Sequence, residues 1–213
     1  MDKVERIRVP RRIMPTFTTE QVEQMLAKCN SGFTGRRLRA ILLVLVDCGL
    51  RASELCALQL DDLSWDTRVM RVMGKGSSER VVPFGEVTRD ALQAYVRRRG
   101  ILPGQESLFV TCYGDPLDRH DLHKFVRCQA QRAGVAGVRC SPHTFRSTLA
   151  VMYLRNGGDA FSLQRTLGHS SLEMTRRYSA LAETDVMARH RLAPPGDRFS
   201  SEAGTIRGRK RIR

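Results

Sequence analysis

The sequence predicts a mostly α-helical fold carrying one small antiparallel β-hairpin or sheet, an α+β domain. Three observations point there. Apolar residues recur at helical spacing behind recognisable caps, as where Thr18-Thr19-Glu20-Gln21 precedes Val22, Met25 and Leu26. Between Leu60 and Phe84 the pattern changes to that of extended chain, with Val69 to Met73 and Arg80 to Phe84 joined by the turn Gly74-Lys75-Gly76-Ser77-Ser78. A length of 213 residues suits one domain, or two small ones, with a real core.

Charge is the outlier of the composition. Lys and Arg number 36 against 22 Asp and Glu, a net charge of +14, and the pI is near 10.4. Such a surplus points to a polyanionic partner, and the phosphate array of double-stranded DNA is the commonest one for a basic globular chain. The cysteines (Cys29, Cys48, Cys56, Cys112, Cys128, Cys140) are scattered without a Cys-x-x-Cys and read as buried thiols in a reducing compartment rather than disulfides or zinc ligands. His120 and His123 share a helix face but lack a third ligand nearby, so they read as a solvated face rather than a metal pair. Met1 to Arg12 is charged and has no apolar core of a secretory signal. The apolar run Ala40 to Val46 is too short to span a bilayer, so no membrane association is expected and the cytoplasm is the expected compartment.

Three regions are expected: a basic N-terminal arm over residues 1–15, one domain over 16–191, and a basic, disordered tail over 192–213. Within the domain, the Thr18 capping box opens the first helix. Gly35 to Cys48 makes the second, basic in its first turn (Arg36, Arg37, Arg39) and then apolar nearly all round, as a central buried helix requires. Gly49 stops it. Asp61 to Trp65 is a candidate third strand beside the hairpin. Glu86 to Arg99 reads as an amphipathic helix with a basic end, Ser107 to Thr111 as a short apolar strand or extended segment, and Asp118 to Ala133 as a helix capped by Asp118.

The stretch from Ser141 to Tyr178 carries the chemistry. Ser141 is a candidate cap and Pro142 suits the first turn of a helix, on which His143 and Arg146 are i, i+3 neighbours. Asn156-Gly157-Gly158 stops that helix, Phe161 to Leu167 makes another, and Gly168 turns the chain so that His169 stands at a corner. A third short helix opened by Ser170 or Ser171 carries Tyr178. Upstream, Arg51 follows a helix-ending glycine and precedes a helix beginning Ala52-Ser53-Glu54, a place suited to an anion. Glu54 is a candidate to hold the Arg51 guanidinium. Lys75 sits at the hairpin tip, and Arg80 is a further phosphate candidate with no motif behind it.

His143-Thr144-Phe145-Arg146, Leu167-Gly168-His169 and Tyr178, with Gly49-Leu50-Arg51-Ala52-Ser53-Glu54-Leu55 and Gly74-Lys75-Gly76 upstream, resemble the active-site segments of the tyrosine recombinase (phage integrase) family. The resemblance covers about Phe17 to Met187. It implies the tyrosine recombinase catalytic-domain fold and a site-specific DNA recombinase that works through a 3′-phosphotyrosyl intermediate without cofactor, metal or ATP. It also implies the roles: Tyr178 as nucleophile, Arg51 and Arg146 on the non-bridging oxygens, His143 as base, His169 as hydrogen-bond donor and Lys75 as acid to the leaving 5′ oxygen. Two guanidiniums can bind phosphoryl oxygens and stabilise the charge of the transition state. A homotetramer on paired DNA sites is the expected assembly, with Leu181 to Arg191 as a candidate contact between subunits. Family members usually carry a further N-terminal domain that completes a clamp round the duplex. The chain therefore reads as a fragment or as a short member, and a monomeric type IB topoisomerase-like activity or a non-catalytic DNA-binding remnant stand as alternatives.

Overall fold

The computed structural model describes residues 15–74, 79–169 and 178. The described chain enters through Phe17, whose ring centroid lies 4.6 Å from that of Phe145 and whose N–H donates to Thr148 Oγ1 at 3.0 Å. Helix α1 (Thr19–Ala27) starts where the spacing predicts. Thr18 Oγ1 accepts from the Gln21 N–H, and Gln21 Oε1 accepts from the Thr18 N–H.

Helix α2 (Phe33–Cys48) begins ahead of the expected Gly35 because Gly32 is its N-cap. It is buried continuously from Ala40 to Leu45 and packs against two later helices, so it is the central rod the sequence requires. Arg37 departs from expectation. It is 2 % exposed, its guanidinium lies between the Phe33 and Phe125 rings at 5.3 and 4.6 Å from their centroids, and it donates to the Val110 carbonyl. A planar, weakly hydrated cation flanked by aromatic faces can enter a core where an ammonium could not.

Gly49 ends α2 in the left-handed region, with φ of 60°. A Cβ there would stand 2.5 Å from Leu149 Cδ2 and 2.8 Å from Leu167 Cδ2. Only glycine lets the chain turn this close to its neighbours, and the turn delivers Arg51 to helix α3 (Ala52–Ala57).

Leu60–Asp62 then winds into a 3₁₀ turn, which leaves only Leu63–Ser64 for strand β1, shorter than the expected Asp61 to Trp65. Strands β2 (Val69–Met73) and β3 (Glu79–Pro83) complete an antiparallel sheet of order β1-β2-β3, with Val72 opposite Arg80 and Met73 opposite Glu79. Met70, Val72 and Val82 face the core, while Arg71, Met73 and Val81 face outward.

Helix α4 (Glu86–Arg99) has the predicted limits. Its entry is capped by Asp47 of α2, whose carboxylate accepts from the Gly85 N–H at 2.6 Å and from the Thr88 hydroxyl at 2.7 Å. Its basic end is not all surface, since Arg99 is buried and donates to the carbonyls of Gly100, Gln105 and Ser107. Ser107 to Thr111 is extended but forms no strand. It makes isolated bridges, Gln59 with Ser107 and Val110 with Pro116, and it buries Leu108, Phe109 and Val110. Helix α5 (Arg119–Arg132) is capped by Asp118, as predicted, and carries the exposed His120 and His123.

Helix α6 (Pro142–Arg155) is buried along most of its length, with Ser141 Oγ accepting from the Thr144 N–H and Pro142 in the first turn. Helix α7 (Ala160–Leu167) starts behind Asp159 and is stopped by Gly168 at φ of 62°. The main core gathers around α2. A second, smaller cluster of Leu149, Ala150, Leu154, Leu163 and Leu167 joins α6 to α7. Among the described residues no helix is long and apolar enough to cross a membrane.

Candidate active site

Two chain corners and one helix build the site. Arg51, the N-cap of α3, donates from Nη1 to Glu54 Oε1 at 2.7 Å and reaches the Gly168 carbonyl from Nη2 at 3.5 Å. The corner at the end of α2 therefore touches the corner at the end of α7. Arg146 of α6 locks the same two corners from beneath. It is 4 % exposed and donates to the Gly49 carbonyl at 2.7 Å and to the Leu167 carbonyl. These are the carbonyls that a helix end leaves without intrahelical partners, so the buried cation and the frayed helix ends satisfy one another.

Glu54 is the anion of the group. Its Oε2 accepts from the Arg51 backbone N–H at 2.8 Å, and Arg80 of β3 donates to Oε1 at 2.9 Å and to Oε2 at 2.8 Å. Burial works against its charge, but hydrogen bonds from Arg80 and Arg51, together with the Arg80 charge, bring the carboxyl down to about 2. Arg146 moves the other way. Burial and then the Arg51 charge lower it to about 10, which still leaves it a cation at neutral pH.

His143 is exposed at the start of α6, one turn before Arg146. Desolvation and then the charges of Arg146 and Arg139 lower its proton affinity. His169 is 8 % exposed at the α7 corner. Burial, then Arg146, Arg51 and Arg80, push it down to about 4, so it is neutral at pH 7. Its backbone N–H donates to the Gln164 carbonyl and its own carbonyl accepts from Gln164 Nε2, which closes the corner. The Tyr178 ring stacks on the His169 ring with centroids 6.3 Å apart and planes 18° from parallel, and it packs against the α6–α7 cluster.

Arg51, Glu54, His143, Arg146, His169 and Tyr178, distant in sequence, are thus brought to one place. Lys75 lies outside the described residues, in the connection between the paired Met73 and Glu79. The helix expected to carry Tyr178, the contact segment Leu181 to Arg191, most of the basic arm and the tail also lie outside them. Arg80, a candidate for phosphate in the sequence, is instead bound to Glu54 and, through Nε, to the Thr166 carbonyl at 3.1 Å. No local pattern marks this, because its partners come from α3 and α7; the one signal is its place two residues after the hairpin turn, on the strand edge nearest the site.

Two guanidiniums, two largely neutral imidazoles and a phenol, set on helix ends, define an oxyanion site able to grip a phosphodiester and present it to a nucleophile. The family model described as the phage integrase family matches residues 15–185, and the chain belongs to that family, the tyrosine recombinases. It is 37 % identical to the tyrosine recombinase XerC of Corynebacterium efficiens over 161 residues, which cover 75 % of this chain and 51 % of that protein. It is 34 % identical to XerD of Proteus mirabilis over 193 residues, 88 % of this chain and 62 % of that one. The chain spans about half to three-fifths of the length of these relatives. Among solved structures, XerA recombinase superposes with a TM-score of 0.74 at 26 % identity, over 86 % of this chain and 67 % of that chain. The integrase of transposon Tn1549 shares the fold, with a TM-score of 0.67 at 24 % identity over 86 % of this chain and 68 % of that one.

Proposed function

We propose that residues 16–191 are the catalytic domain of a site-specific DNA recombinase that cuts and rejoins double-stranded DNA through a 3′-phosphotyrosyl bond. The observation that carries the reading is the lock between corners: Arg51 against Gly168, Arg146 against Gly49 and Leu167, and Tyr178 stacked on His169. A phosphate bound to both guanidiniums then lies within the group that includes the phenol.

In this reading the Tyr178 oxygen attacks the scissile phosphorus and the bond from phosphorus to the 5′ oxygen breaks. His143, held neutral by its surroundings, accepts the phenolic proton, and Lys75 of the hairpin gives a proton to the departing 5′ oxygen. Arg51 and Arg146 bind the non-bridging oxygens, whose negative charge grows in the transition state, and His169 donates a hydrogen bond to one of them. Attack by a 5′ hydroxyl of a second strand reverses the steps and conserves the linkage. Two such rounds on paired sites give strand exchange, and a homotetramer with Leu181 to Arg191 as its contact is the assembly that carries them out. The DNA contact is supported by the Tn1549 integrase, whose structure is described in complex with transposon right end DNA. The cytoplasm is the compartment that fits, since all of the cysteines are free thiols.

The test is covalent capture. Nicked duplexes with a randomised core are incubated with the protein in EDTA, and complexes that survive SDS are recovered and sequenced. The expected result is a captured sequence class that is lost in Tyr178→Phe. A wild-type chain that captures no duplex while folded and DNA-bound overturns the reading. Two labelled copies of the captured site, mixed together, are expected to yield strand-exchanged products.

A further inference from the structure

Arg80 occupies a position that the roles above leave unexplained. Its side chain is 14 % exposed, all three of its guanidinium nitrogens are taken up by protein acceptors, and that one guanidinium joins three elements. Nη1 and Nη2 take the two oxygens of Glu54 on α3, and Nε takes the Thr166 carbonyl in the last turn of α7. It also floors the corner before His169, where a Cβ on Gly168 would stand 3.1 Å from Arg80 Cδ. The strand that carries it, β3, is held in turn by its antiparallel pairing with β2.

The geometry at Glu54 gives this a consequence for Arg51. A carboxylate with two free oxygens draws a neighbouring guanidinium into a two-point, side-on pair. Here Arg80 already holds both oxygens, so the Arg51 side chain keeps a single short bond, Nη1 to Oε1, and remains 43 % exposed. We propose that Arg80 is a positioning residue of strand cleavage: by saturating Glu54 it keeps Arg51 turned outward toward phosphate, and by gripping α7 it fixes the His169 corner to β3. The inference rests on the recombinase reading and deepens it.

The experiment is a double-mutant cycle on Arg51 and Arg80, using the captured nicked duplex. Single-turnover formation of the covalent complex is measured at saturating DNA, with Kd and melting temperature alongside. Arg80→Gln is expected to slow cleavage by about tenfold or more while Kd moves by less than about threefold, the mark of an interaction realised in the reaction and not in binding. In an Arg51→Gln background the same change is expected to cost less than about twofold, because its effect passes through Arg51. Arg80→Lys, which keeps a cation beside Glu54 but reaches only one oxygen, is expected to fall between, and it carries the comparison if Arg80→Gln melts early.

A cleavage rate within about twofold of wild type, an equal cost in both backgrounds, or a loss wholly in Kd overturns the proposal. A second arm needs no DNA: binding of orthovanadate, a phosphate analogue, read by ⁵¹V NMR. Wild type is expected to bind it about fivefold or more tightly than Arg80→Gln, with no further loss on adding that change to Arg51→Gln. If wild type forms no covalent complex, the recombinase reading falls while the vanadate arm still decides Arg80. Equal vanadate binding by wild type and Arg80→Gln, or none by wild type, overturns the role given to Arg80.

Discussion

At the scale of single residues, the site is a problem of keeping like charges together. Arg51 and Arg80 both bind the Glu54 carboxylate, and its charge also favours the Arg146 cation, so Glu54 is the group whose loss the others feel most. Glu54→Gln leaves the largely buried Arg80 cation without its anion, and we expect a loss of about 3 kcal/mol in urea unfolding, with covalent capture falling by about tenfold or more. Stability should also follow the imidazole of His169. In the folded chain it takes its proton only near pH 4, against 6.5 ordinarily, so between those values the unfolded chain binds more protons and folding weakens as pH falls. The melting temperature is expected to drop as pH is lowered from 6.5 toward 4, and His169→Asn to flatten that slope. Glu54 adds its own loss further down, as pH falls from 4.5 toward 2. With His143 as the proposed base, its lowered proton affinity keeps it neutral to below pH 6.5, so the acid limb of the cleavage profile is expected under that value.

Among the elements, the helix ends do the placing. Gly49 is needed twice over, once for its left-handed backbone and once because Leu149 and Leu167 leave no room for a Cβ. Gly134 is left-handed as well, at φ of 69°, but has nothing within 4 Å of such a Cβ, so it isolates the backbone cost. We expect Gly134→Ala to cost about 1 kcal/mol and Gly49→Ala about 3 kcal/mol or more, the excess being the clash. Equal losses in thermal unfolding would refute the packing argument. Caps and stops of this kind were legible in the sequence, because they depend on residues a few positions apart: Thr18 with Gln21, Asp118, Ser141 before Pro142, and Gly49 and Gly168. Ser107 to Thr111 was legible as extended and apolar but not as unpaired, since pairing depends on what lies alongside. The burial of Arg37 and Arg99 was not legible, because the Phe125 ring and the Val110, Gln105 and Ser107 carbonyls that receive them belong to other segments.

For the molecule as a whole, the site residues were legible as types and order, while the way they are held was not. Sequence spacing could suggest that Glu54 serves Arg51, three residues away, whereas the two bonds from Arg80 to Glu54 and the one from Arg80 to Thr166 are seen only with β3 and α7 in place. The net charge of +14 belongs to this scale too. DNA affinity is expected to fall linearly on a log–log plot against salt, losing about 0.9 in slope for each phosphate contact removed. Deleting residues 192–213, which end in Arg207-Gly208-Arg209-Lys210-Arg211-Ile212-Arg213, should therefore lower the slope by about 2 or more if the tail grips the backbone, and an unchanged slope would make it a bystander. A different link is already visible at the other end of the described chain. Phe17 is pinned by its ring and its N–H to Phe145 and Thr148 of α6, within a turn of Arg146 and on the helix whose first turn carries His143. Tension applied at Phe17, whether from a fused tag, a tether or a segment gripping a duplex, would pass directly into the helix that carries the proposed base and one of the proposed phosphate-binding arginines, and so offers a handle for tuning the proposed reaction from outside the pocket.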